Sequence, residues 1–250
     1  MDRRLLSPGM LATHLAVLAV AALFIRLGIW QLDRLEERRE ENAVASARLE
    51  MPSVDIARLL AEDGDPASLR NRRVTAAGMF DPAQEVLIRS QVYRGSAGFH
   101  VITPLLLEDE GAIMVNRGWV PLGFDQVPLA QAPPPGGVVT VEGWLATKQT
   151  RPALGPEDPA GRLVVMSRVD LDRIESQLPY SIAPVYLVEM GEREQPPIPV
   201  EPPDFTDEGP HLAYAIQWFA FAAIGVVGYF SLLRRRFDRG GRSSRGKPGE

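Results

Sequence analysis

His211–Leu233 reads HLAYAIQWFAFAAIGVVGYFSLL, 23 residues without a formal charge. At about 1.5 Å of rise per residue, a helix over this stretch covers roughly 34 Å, enough for a hydrocarbon core of about 30 Å. Gly209-Pro210 precede it, and proline at the first helical position forfeits no helix hydrogen bond. Arg234-Arg235-Arg236 close it with a basic stop. At its mouth stands His211, followed at helical spacing by Tyr214, Ala215 and Trp218. An imidazole, a phenol and an indole on one face at a membrane surface are the first functional candidates.

A second apolar stretch, Met10–Trp30 (MLATHLAVLAVAALFIRLGIW), lies near the start. His14 and Arg26 stand near its ends, where polar side chains reach the interface, and Trp30 fits an aromatic belt. Arg3-Arg4 before a hydrophobic run also suit a cleaved signal peptide, but no small-x-small cleavage site follows Phe24–Trp30. The expectation is a retained span and a hairpin with both termini on one side. Gln31–Arg48 has no Gly or Pro and is rich in helix formers, so the first helix is expected to continue past the membrane. Arg34–Glu37 and Glu36–Arg39 sit at i,i+3 and pair weakly.

Charge sets the orientation. Residues 30–210 carry 17 Lys+Arg against 29 Asp+Glu, a net of −12, whereas the tail from Leu232 is net +5. A basic tail beside an acidic middle is a membrane address and not a nucleic-acid one. It puts both termini in the cytoplasm. The middle then lies outside the inner (plasma) membrane, in a bacterial periplasm or, in a eukaryote, a mitochondrial intermembrane space. The chain has no cysteine, which excludes disulfides, thiolate catalysis, iron–sulfur clusters and paired-cysteine copper sites.

The middle reads as β-rich. Short β-branched or aromatic runs at Arg73–Phe80, Glu85–Tyr93, Phe99–Thr103, Ala112–Val120, Val138–Leu145, Leu163–Ser167 and Pro184–Met190 are separated by Gly and Pro breakers. Helices are expected at Val54–Ala61 and Val169–Gln177. The expected fold is two transmembrane helices flanking a β-rich (α+β) outer domain, a small antiparallel barrel or sandwich. In order these are an N-terminus (1–9), a first span (10–30), a helical extension (31–50), the β-rich domain (51–194), a proline-rich tether (195–210), a second span (211–233) and a basic tail (234–250).

No Gly-rich phosphate loop, G-x-S-x-G elbow or HExxH occurs, so no enzyme is indicated. The pairs Asp109-Glu110 and Glu157-Asp158 read as solvated turns. His14 and His211 fall at opposite ends of their spans and differ in depth by about 20 Å, so they do not ligate one iron. The outer end of span one instead brings Trp30, Gln31 and Arg34 level with His211. That grouping offers an axial imidazole, aromatic walls and a cation for a carboxylate, which a haem requires. The competing reading of His211 is an interfacial residue bonded to a lipid headgroup or loop. His100 reads as a half-buried strand residue. Asn116-Arg117-Gly118-Trp119-Val120-Pro121 is the densest loop motif. Gly118 permits a bulge and Pro121 ends the strand, while Asn116, Arg117 and Trp119 are candidates for either core structure or a docking surface.

The chain resembles the surfeit-locus (Surf/Shy) family of cytochrome c oxidase assembly factors. The resemblance lies in Leu27-Gly28-Ile29-Trp30-Gln31-Leu32-Asp33-Arg34, in Tyr93-Arg94-Gly95 through Gly98-Phe99-His100 to Leu105, and in Val115–Pro121. It continues in Val141-Glu142-Gly143 and in Pro210-His211-Leu212 with Tyr214-Ala215 and Gln217-Trp218. It implies a two-span membrane protein that helps place haem a in subunit I of a haem–copper oxidase, with haem a synthase as a further partner. It also implies transient haem a binding, with His211 as iron ligand. Tyr214 and Trp218 then become pocket candidates by helical spacing. The alternative is a cofactor-free scaffold that docks oxidase subunits through the Asn116–Pro121 loop.

Overall fold

Every second residue of Arg73–Phe80 is buried, the period of a strand with one face on a core. This strand, β2, opens a barrel. The computed structural model describes residues 8–61, 65–108, 111–150, 159 and 161–243, with side chains to Arg235. Asp109-Glu110, Glu157-Asp158 and Arg3-Arg4 lie outside the described residues. Two compact units form, Val44–Asp204 and the pair of terminal segments Met1–Ala43 with Phe205–Glu250.

In the first unit, β1 (Val54–Asp55), α2 (Ile56–Ala61) and α3 (Pro66–Leu69) precede β2. Then come β3 (Val86–Tyr93), β4 (Ser96–Leu107), β5 (Ala112–Pro121), β6 (Val138–Thr147), β7 (Val165–Met166), α4 (Leu171–Glu175) and β8 (Ile182–Glu189). β2, β6, β8, β5 and β4 pair in that order, and Gly78–Phe80 of β2 pairs Leu105–Leu107 of β4 to close a five-stranded barrel. β5 and β8 run parallel; the other barrel pairs are antiparallel. Closure removes the sheet edges that would otherwise invite foreign strands. Val74, Leu105, Ile113, Val115, Leu145, Val185 and Leu187 fill the interior.

A second core lies outside the ring. Ile102, Met114, Trp144, Tyr186 and Val188 are covered by Met166, Val169, Leu171 and Ile174. The segment around β7 and α4 therefore occupies a face that small barrels commonly leave open to ligands. The strands expected at Phe99–Thr103 and Leu163–Ser167 have other lengths here. β4 runs on to Leu107 because it pairs with both β3 and β5, and β7 keeps only two residues. Val54-Asp55, expected as helix, pairs parallel to β2 before α2 begins. The proline-rich return is partly fastened to this unit. Ile198 and Trp119 exchange backbone hydrogen bonds of 2.7 and 2.8 Å, and Pro197 and Pro199 are buried.

α1 (Pro8–Glu50), in the second unit up to Ala43, and α5 (His211–Ser243) are each long and apolar enough to cross a membrane. Gln31–Arg48 continues α1 without a break, and α5 runs on through the basic residues after Leu233. Leu15, Leu18, Ile216, Ile224 and Val227 are exposed on the outer faces, an arrangement foreign to the core helix of a water-soluble fold. On α1 the less exposed positions include 14, 17, 21, 24, 28, 31 and 35, a spacing of three and four that keeps one seam turned toward a partner helix. On α5 the matching seam is 211, 215, 218, 222, 226, 229 and 233.

Candidate functional site

Two small residues let the helices approach. Gly28 is buried against Phe219: a Cβ built there would stand 2.6 Å from the ring's Cε1. Ala215 and Ala222 are buried on the same seam. Small residues at such positions let backbones come close where lipid supplies no hydrophobic drive.

The seam has a polar pair at each end. At one, the His211 Nδ1 lies 2.9 Å from the Gln31 Oε1. At the other, the His14 Nδ1 and the Tyr229 hydroxyl are hydrogen-bonded, ring edge to ring face. His14 to Gln31 is 17 residues, or about 25 Å of helix, so the pairs bracket nearly the thickness of a hydrocarbon core. Between them Phe24 packs on Trp218 and Phe221, with ring centroids 5.5 and 6.0 Å apart. Beside these rings is an apolar cleft of about 240 Å³, lined by Ala21, Phe24, Phe221 and Gly225 among others.

The connection into α5 is held above the His211 end. Arg39 donates to both carboxylate oxygens of Glu208 at 2.8 and 2.9 Å, in place of the helix neighbour Glu36 that its spacing suggested. Hydrogen bonding and charge from Arg39 hold the Glu208 carboxyl below its usual range. Asn42 donates to the Asp207 carbonyl at 3.0 Å, and the Asp207 carboxylate accepts from the Gly209 N–H at 2.8 Å. The Pro210 carbonyl takes the Tyr214 N–H, the first turn of α5. The loop is thus clamped on both sides of His211.

Of the residues singled out in the sequence, His211 and Gln31 meet directly, and Trp218 lies on their seam two turns further along. Trp30 is adjacent to Gln31, 44% exposed, with the Arg34 guanidinium 5.8 Å from its ring centre. Arg34 also pairs with Glu37 at 2.5 Å in an exposed bridge, weak enough to yield to another anion. Tyr214 stands off the seam, 47% exposed. The sequence reading missed Asn42, Arg39 and Glu208, because only the folded connection brings positions some 165 residues apart together.

Asn116, Arg117 and Trp119 are interior residues of the barrel unit, 4%, 2% and 9% exposed. The register of β4 against β5 slips at Arg117, opposite Val101 and Ile102. This bulge turns the Arg117 side chain inward. It donates to Glu85 at 2.8 Å and to the Ala132 carbonyl at 2.9 Å, over the Phe80 ring. Glu85 also accepts from the Thr103 hydroxyl and the Leu129 N–H, both at 2.9 Å. These contacts pin the 121–137 loop over Leu87, Val101 and Val120. His100 is half-buried on β4, 3.4 Å from the Asn116 amide.

The chemistry available at the His211 end is nitrogen donation. One ring nitrogen is engaged by Gln31. The Nε2 edge lies beside Gly209, where a Cβ would come within 3.6 Å of Nε2. His211, together with Trp30 and Arg34 within a turn of its partner Gln31, could hold a metal macrocycle bearing acidic groups. Among the described residues no group of three or more His, Asp or Glu side chains could hold a bare metal ion.

A closed five-stranded barrel, flanked in sequence by two helices long and apolar enough to cross a membrane, defines a two-helix protein with a β-rich domain. The sequence profile of the SURF1 family matches residues 18–223, and the chain belongs to that family, which is generally linked to cytochrome oxidase assembly and is not known for enzymatic activity. A SURF1-like protein of Mycobacterium tuberculosis is 29% identical over 98% of this chain and 92% of its own length. One from Monosiga brevicollis is 30% identical over 90% and 89%. One from Rickettsia felis is 25% identical over 89% and 97%.

Proposed function

We propose that this chain is a two-span inner-membrane assembly factor that binds haem a through His211 and assists its insertion into subunit I of a haem–copper cytochrome c oxidase. The observation that carries the reading is the half-buried His211 imidazole, held by Gln31 at the mouth of the two-helix seam. The basic residues from Arg234 onward support cytoplasmic termini, with the barrel on the outer face.

Haem a is cargo here, an iron porphyrin that takes an axial nitrogen and carries carboxylates and a long apolar tail. His211 supplies the nitrogen. Trp30, Trp218 and Tyr214 would supply aromatic contacts to the porphyrin. Arg34, in an exposed bridge to Glu37, would meet a carboxylate. The cleft beside Phe24 and Phe221 would take the tail. A single protein nitrogen in a laterally open site suits a carrier that must also release its load.

Docking on subunit I and haem a synthase belongs to the end of the barrel unit shaped by Asn116, Arg117 and Trp119. Because these three are interior, they set the surface and do not form it. Val92 and Leu122, 69% and 56% exposed at that end of the sheet, are the contact candidates. A cofactor-free scaffold would use this surface alone. In a strain lacking the gene, the wild-type chain should restore the haem a content of the oxidase and His211→Ala should not. Full restoration by His211→Ala would favour the scaffold.

A further inference from the structure

We propose that Gln31 is a positioning residue that fixes the tautomer of His211, holding the proton on Nδ1 so that Nε2 is the nitrogen offered to iron. This rests on the reading of His211 as haem ligand.

A carboxamide oxygen can only accept a hydrogen bond. With Gln31 Oε1 at 2.9 Å from His211 Nδ1, the shared proton sits on Nδ1. A neutral imidazole carries one N–H, so its in-plane lone pair is then on Nε2. That is the form a metal at Nε2 needs, and it is the less populated one for a neutral imidazole free in water. Metal-bound histidines are commonly oriented by such an acceptor on the second nitrogen. Gln31 is well placed for this. It lies on the α1 seam one turn beyond the buried Gly28 and one turn before the buried Leu35, so its amide faces α5. Gly209 leaves the Nε2 edge without a side chain beside it. His14 has no such constraint, because its partner, the Tyr229 hydroxyl, can donate or accept.

The test uses the full-length chain in detergent micelles, with ¹⁵N-labelled histidine and no haem. The His211 signals are identified by their loss in His211→Ala. The wild type and Gln31→Glu, which keeps an acceptor oxygen, should show the Nδ1–H pattern; Gln31→Leu should revert to the Nε2–H pattern. Titrated with haem a, Gln31→Leu should bind roughly tenfold to a hundredfold more weakly. Gln31→Glu should retain binding and lower the midpoint potential, since a charged acceptor makes the imidazole a stronger donor. An Nε2–H pattern in the wild type overturns the proposal, as does undiminished affinity in Gln31→Leu when His211→Ala has lost haem. Undiminished binding in His211→Ala removes the ligand reading itself, while the wild-type and Gln31→Leu spectra still decide whether Gln31 sets the tautomer.

Discussion

Gly28 of one long helix lies against the Phe219 ring of the other, with no room for a methyl group between them. Because Gly28 is one turn from Gln31 on the same seam, this contact governs how near Gln31 comes to His211. Gly28→Val should therefore force the helices apart. Overpacking of this kind costs about 1–3 kcal/mol. The natural chain has no cysteine, so cysteines placed at Ala21 and Ala222 give a clean probe. Their oxidative cross-linking should fall sharply in the Gly28→Val background, and His211-dependent haem binding should fall with it.

Glu85 and Arg117 form an ion pair within the barrel unit at 0% and 2% side-chain exposure, with three further hydrogen bonds to Thr103, Leu129 and Ala132. Removing one partner strands a buried charge, so Glu85→Ala or Arg117→Ala should each lower stability by about 3–5 kcal/mol. Glu85→Leu combined with Arg117→Met should cost much less than the sum. Urea unfolding of the full chain in detergent, read by near-ultraviolet circular dichroism, measures both. Equal losses in the double and summed single variants would show that the pair is not coupled.

How far the fold could be read in advance follows from which signals are local. Arg73–Phe80 is a short β-forming run stopped by Asp81-Pro82, and β2 has those bounds; the apolar lengths of Met10–Trp30 and His211–Leu233 likewise identify α1 and α5. Arg117 was opaque. The Asn-Arg-Gly-Trp motif leaves both core structure and a docking surface open, and only the bulge in β5 and the distant Glu85 explain the burial of Arg117. In the candidate site, His211 and Gln31 could be brought level by counting helical rise. That they touch depends on Gly28 admitting Phe219, and that the loop is clamped depends on Arg39 and Glu208, neither of which has a local signature.

His100 should make the barrel unit acid-sensitive. Burial lowers its pKa from 6.5 to about 4. The folded state thus binds its proton less readily than the unfolded state. The stability held by neutral His100 is full above about pH 6.5, declines as pH falls and is lost through about pH 4. The wild type should lose roughly 3 kcal/mol more than His100→Gln across that window. Parallel pH–stability curves for the two proteins would contradict this.

The most direct measurement is the visible absorption spectrum of the detergent-purified chain, expressed in a host that makes haem a. Wild type should carry a Soret band that survives washing. His211→Ala, inserted in the membrane to the same level, should be colourless. A band of equal intensity in His211→Ala, or a colourless wild type that retains oxidase subunits, would contradict haem binding through His211.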